Sequence, residues 1–126
     1  MELIMLPFVF VYTIGLYTLA LCILYIGIKG ILKTLKERRL ILQEAIENIY
    51  IEDLIIKNKF EEAFHIIEKR LKTNKNDAFA YYYQGKGLFS IGKYHESRRS
   101  FERAYELKSD LNESFEIWCQ RIENTK

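Results

Sequence analysis

The sequence predicts an all-α protein: one N-terminal transmembrane helix, then a short series of helix-turn-helix units. Three observations carry this. Leu3 to Ile28 is a run of 26 residues without a charged side chain. Beyond it the chain is charged and mixed, with apolar residues at helical spacing. That second part also matches itself at an offset of 34 residues.

The uncharged run comes first. At about 1.5 Å per residue it extends roughly 39 Å, against a hydrocarbon core of about 30 Å, so it spans with some tilt. A helix satisfies its own backbone polar groups, as lipid demands. Pro7 is expected near the helix start, where a missing N–H costs little. A cleaved signal peptide would need a basic start, a shorter apolar core and a small-residue cleavage site. Here the first charge is Glu2, and no Ala-x-Ala follows the run. The expected organisation is a transmembrane anchor over 1–28, a basic juxtamembrane helix over 29–43 and a repeat domain over 44–126.

Charge sets the expected orientation. Lys29, Lys33, Lys36, Arg38 and Arg39 stand against the single acid Glu37 on one flank, and Glu2 alone stands on the other. The positive-inside rule then places the N-terminus outside and the C-terminal domain in the cytoplasm. A bacterial inner membrane is the favoured setting, although an organelle outer membrane fits the same flanks. The basic cluster serves topology, contact with anionic headgroups, or both. Gly15, Thr18 and Cys22 share one helix face and suit close packing of a partner helix, or fall there by chance. No ionisable residue lies within the run, so transport has no candidate residue there.

The repeat is visible pair by pair. Leu54 matches Leu88, Lys59 matches Lys93, Glu62 matches Glu96 and Glu68 matches Glu102. Phe60 pairs with Tyr94, Ala63 with Ser97, Ile67 with Phe101 and Tyr81 with Phe115. Helices are expected near 30–57, 60–73, 78–91, 94–108 and 111–123. Nothing between Gly30 and Lys57 breaks the first, so it can run on from the span. Thr73 to Asp77 reads as a loop, with Asp77 able to cap the helix after it.

These residues resemble the tetratricopeptide repeat (TPR) family, whose period is 34 and whose motif is Trp-x2-Leu-Gly-x2-Tyr, then Ala-x3-Phe. The best copy is Tyr81-x2-Gln84-Gly85-x2-Leu88, then Ser97-x3-Phe101-x2-Ala104, with Gly92-Lys93-Tyr94 at the turn. An earlier copy keeps Lys59-Phe60-Glu61-Glu62-Ala63 and Ile67 but has Glu47, Tyr50 and Ile51 in its first helix. A third stops after one helix with Phe115, Trp118, Cys119 and Ile122. The family's closing proline is absent, with Ser109 at its place in the best copy. The resemblance implies a TPR-like solenoid of about two repeats and a capping helix. It also implies that Tyr81 packs inward and that a concave groove binds a protein partner. Phe79, Tyr82, Lys86 and Phe89 would line that groove. Ala45, Asn48, Glu52 and Ile55 would join them from the first copy, and Glu113, Glu116 and Gln120 from the third. The competing reading is that Phe79 and Phe89 only pack on neighbouring helices.

Composition narrows the function. A net charge of +2 lacks the basic excess of a nucleic-acid binder. Cys22 and Cys119 lie in unlike segments, so a disulfide framework is not expected. His65 and His95 have no metal-ligand company, Ser97 and Ser100 have no nucleophile signature, and no glycine-rich phosphate loop is present. The expectation is a protein that is not an enzyme and takes no cofactor or metal. It would be a membrane-anchored adaptor or assembly factor, with a homodimer open to it. The alternative is a structural subunit that assembles mainly through its span. The orientation has a direct check. Cys119 should resist a membrane-impermeant thiol reagent in intact cells and react after lysis; labelling in intact cells would invert the topology.

Overall fold

The computed structural model describes residues 2–125. Met1, the first residue of the expected anchor, and Lys126, the last of the expected repeat domain, lie outside the described residues. Among the described residues the order is α1 (Glu2–Ile56), α2 (Phe60–Thr73), α3 (Ala78–Ser90), α4 (Tyr94–Leu107), a 3-10 turn (Ser109–Leu111) and α5 (Asn112–Glu123). No strand occurs among them. The expected bounds of α2 to α5 agree to within a residue. The difference is the 3-10 turn, where Leu111 N–H reaches back to the Lys108 carbonyl at 3.1 Å. That tighter bond delays the start of α5 to Asn112.

The chain forms two compact units, one up to Gln43 and one from Glu44 onward. In the first, every side chain from Leu3 to Gln43 is exposed. Its helix belongs to a stretch long and apolar enough to cross a membrane, with a mean hydropathy of 2.1 in its best window. Hydroxyls within it turn back onto the helix. Thr13 Oγ1 donates to the Phe10 carbonyl and Thr18 Oγ1 to the Gly15 carbonyl, both at 2.9 Å. Each hydroxyl thereby meets its hydrogen-bonding need without water. Because α1 begins at Glu2, Pro7 falls in the second turn rather than the first. It therefore forfeits one helical bond, the one its nitrogen would have made to the Leu3 carbonyl.

The second unit has its own core. Ile51, Leu54 and Ile55 of α1 meet Ala63 and Ile67 of α2 and Ala80 and Tyr83 of α3. Farther along, Phe101 and Ala104 of α4 and Ile122 of α5 are buried. Ala63 and Ile67 recur at helical spacing on α2, as Ser97, Phe101 and Ala104 do on α4, so each helix turns one face inward. Asp77 caps α3, its Oδ1 accepting from Ala80 N–H at 3.0 Å.

The ends of α1 and α3 are built alike. Asn58 has φ +59 and Gly92 has φ +82, the left-handed conformation that stops a helix. Asn58 N–H bonds to Ile55 O at 3.1 Å and Lys59 N–H to Leu54 O at 2.9 Å. Gly92 N–H bonds to Phe89 O at 3.0 Å and Lys93 N–H to Leu88 O at 2.9 Å. These are the two bonds of a Schellman stop, and the two stops stand 34 residues apart. The helices that follow, Phe60–Thr73 and Tyr94–Leu107, are both 14 residues long and start at the same offset.

Helices α3 and α4 come into close contact at Gly85. A Cβ there would lie 2.8 to 2.9 Å from three atoms of the Phe101 ring. Ser97 Oγ donates to the Gly85 carbonyl at 2.8 Å from the facing helix. A bare Cα and a small hydroxyl therefore let a full phenyl ring enter the interface. Gly85→Ala should destabilise the second unit by about 1–3 kcal/mol through overpacking. Gly92→Ala should cost about 1–2 kcal/mol by a different route, the left-handed backbone of a residue with open space around it. Thermal unfolding followed by circular dichroism measures both. Pairing Gly85→Ala with Phe101→Leu should recover part of the first loss and none of the second.

Candidate functional site

The expected lining on α3 lies on one helical stripe, since Phe79, Tyr82, Lys86 and Phe89 follow each other at steps of three and four. All four are half-buried. Of the three consecutive tyrosines, Tyr83 is the buried one, and Tyr81 and Tyr82 are half-buried. The family pattern had assigned the inward place to Tyr81. Tyr83 takes it because its ring faces α1 and α2, where the core is deepest.

Aromatic rings gather at this stripe. Tyr82 meets Phe101 edge-on at 5.7 Å between centroids, and Phe89 meets Tyr94 at 5.3 Å. Trp118 of α5 stacks on Phe101 at 5.1 Å and meets Phe89 edge-on at 5.2 Å. Its indole N–H points to the Tyr82 hydroxyl at 3.4 Å. Phe89 is thus held between α4 and α5, as the packing reading expected, while its half-exposed ring remains part of the surface. Trp118 was absent from the expected lining. The 34-residue register pairs it with Gln84, which is not among the expected lining positions. Its indole is wide enough to reach both Tyr82 and Phe89 from there.

The charges at this surface are already engaged. Lys86 forms an ion pair with Glu52 of α1. Its ammonium also stands 5.7 Å from the ring centroids of Tyr82 and Tyr83. Lys108 sits over the Phe79 ring at 4.5 Å. Burial pushes the Tyr83 hydroxyl pKa up, and the Glu52 carboxylate and Tyr82 push it further the same way, while Arg70 partly opposes them.

Asn48 is committed elsewhere. It accepts a hydrogen bond from Arg70 Nη1. The buried Arg70 also reaches Asp77, with Nε donating to Oδ2 at 2.9 Å. Glu44 and Glu47 lie 3.6 and 3.7 Å from its guanidinium. Arg70 Nη2 is 2.8 Å from Asp77 Oδ2 but is not aligned for a hydrogen bond, so that contact is electrostatic. The arginine thus ties α2 to α1 and to the cap of α3. Sequence reading had no hold on it, since its partners come from two segments distant in sequence, α1 and the cap of α3.

One further expectation resolves differently: Ile55 is in the core rather than on the groove, because it packs with α2 and α3. Ala45, Glu113, Glu116 and Gln120 are exposed. Among the described residues no group of three His, Cys, Asp or Glu is arranged to hold a metal. Cys119 is half-buried, and burial pushes its thiol pKa up more than Arg98 pulls it down. Such a thiol is a packing group rather than an activated nucleophile.

Compared with known proteins, the chain matches no family model, no curated protein and no solved structure.

The Tyr83 environment sets an alkaline limit. Its proton is held more tightly in the folded state than in the unfolded chain, where a tyrosine titrates near about pH 10. Stability from this group is fully present below that pH and declines as pH rises through the folded value. Unfolding curves recorded from neutral pH to above pH 10 should show this decline, and Tyr83→Phe should make it shallower.

Proposed function

We propose that this chain is a single-span membrane protein whose second unit, a TPR-like solenoid of about two repeats and a capping helix, holds a protein partner at the membrane. The observation that carries this is the half-buried aromatic stripe of Tyr82, Phe89 and Trp118 beside Phe79. Large rigid aromatics with one polar edge give contact area at little entropic cost, and they dominate binding energy at interfaces. The Lys86–Glu52 ion pair leaves the stripe without a strong uncompensated charge. That arrangement suits an extended peptide or a helix seated mainly by apolar and aromatic contacts.

The recurrence of the helix stop at Asn58 and Gly92, and the 14-residue helices after each, support the repeat reading. The length and apolarity of Leu3–Ile28 support the anchor. The basic residues from Lys29 to Arg39 support an N-terminus outside and a C-terminal domain in the cytoplasm, with a bacterial inner membrane the favoured setting. The second reading is a structural subunit held by its span. It is favoured by the apolar side chains of the first unit, all exposed on a single helix.

A photo-reactive residue at Tyr82, activated in living cells, separates the two. One dominant soluble protein in the adduct is the expected result. Tyr82→Ala with Trp118→Ala should then weaken that complex by at least about tenfold, the loss of one modest hot spot. No adduct at Tyr82, with capture of a membrane protein by a probe at Thr18, would move the assignment to the span.

A further inference from the structure

Three lysines just past the uncharged run share one face of α1. At about 100° per residue, Lys29, Lys33 and Lys36 fall within an arc of about 60°. All three side chains are exposed. The ion pairs among the described residues all fall in the second unit, so none engages these lysines or Glu37, the one acid of this flank. Three ammonium groups together on one face draw an anion from the surroundings.

Depth selects which anion. Helix α1 is continuous here, so its rise sets the distances along the axis. Lys29, Lys33 and Lys36 stand about 1.5, 7.5 and 12 Å beyond Ile28, the last residue of the run. Side chains on a helix lean toward its N-terminus, which here means back toward the run. Lys29 shows that lean, since its ammonium stands 6.0 Å from the centroid of the Tyr25 ring, four residues earlier. A reach of one turn, about 5.4 Å, brings all three ammonium groups within about 7 Å of the Ile28 level. The headgroup layer of a bilayer leaflet is about 5–7 Å deep. Arg38 and Arg39 start about 15 and 16.5 Å beyond Ile28, and the same reach leaves both outside that layer.

We infer that Lys29, Lys33 and Lys36 form a binding face for the phosphate group of an anionic phospholipid. This rests on the membrane span proposed above. A lipid is the occupant, rather than a soluble phosphate, because apolar surface lies directly below the lysines. Tyr25 and Ile26 are 66% and 69% exposed there, ready to take an acyl chain. Each ammonium brings three donors for charge-assisted bonds to phosphate oxygens. A zwitterionic headgroup carries its own cation beside the phosphate, so this face prefers a headgroup without one. The preference goes beyond the topology signal, which counts every lysine and arginine of the flank alike.

The test uses the full-length chain in vesicles that mix phosphatidylcholine with phosphatidylglycerol. Tyr25→Trp places a fluorophore on the lysine face, and Trp118→Phe removes the single native tryptophan. Either lipid is supplied with brominated acyl chains, which quench an adjacent indole. Phosphatidylglycerol should be preferred at this face at least about fivefold, the contribution of one lysine near an anionic surface. Lys29→Gln with Lys33→Gln and Lys36→Gln should abolish the preference, and Arg38→Gln with Arg39→Gln should keep it. Excess inorganic phosphate at constant ionic strength should keep it too. The substituted flank side chains are exposed, so helix content should be the same across the set. Equal quenching by the two lipids would overturn the inference. So would equal losses from the lysine and arginine sets, or displacement by inorganic phosphate. Quenching by neither lipid would overturn the span itself and this inference with it, so the two failures are told apart.

Discussion

The Phe101 ring lies against a bare Cα at Gly85, and the rest of the second unit is arranged around that approach. The ring is buried, and one of its faces stacks on Trp118. One side chain therefore links three helices. Burying such a ring contributes roughly 2–3 kcal/mol, a large part of what a small domain can hold in reserve. The Ser97 hydroxyl, hydrogen-bonded to the Gly85 carbonyl, keeps the helices in place without adding bulk. Because α3 is held at this distance, its outer stripe of Tyr82, Lys86 and Phe89 meets α1 on one side and α5 on the other.

A second centre does the same work with charge. Arg70 is buried among Asn48, Asp77 and the nearby Glu44 and Glu47. A buried arginine needs its charge compensated, here by Asp77 and the nearby Glu44 and Glu47, and removing a partner leaves an expensive uncompensated charge. The two centres divide the unit between them. Aromatic packing joins α3 to α4 and α5, and the guanidinium joins α2 to α1 and to the start of α3.

Much of the helical layout was legible in the sequence, because period, turn residues and apolar spacing are local signals. Gly92, Asp77 and the loop at Thr73–Asp77 marked boundaries to within a residue. Pro7 was read less well, since its place in the helix depends on where α1 begins. The 3-10 turn at Ser109–Leu111 depends on two i to i+3 bonds, from Leu111 N–H to Lys108 O and from Asn112 N–H to Ser109 O, which leave no sequence pattern. At the candidate surface, helical spacing put Phe79, Tyr82, Lys86 and Phe89 on one stripe. Spacing could not say that Glu52 would meet Lys86, that Asn48 would be taken by Arg70, or that Trp118 would reach Tyr82. Each of those depends on side-chain reach across helices that are distant in sequence.

The paired helix stops have an architectural consequence. Lys59 and Lys93 enter their helices in nearly the same backbone pose, φ −88 and ψ 60 against φ −86 and ψ 65. The segment from Lys59 to Gly92 therefore leaves the chain as it found it. Such a segment is a cassette: a tandem duplicate of it could be spliced in after Gly92 with no new kind of junction. Lengthening the second unit that way would extend its surface while leaving α1 and the final helix unaltered.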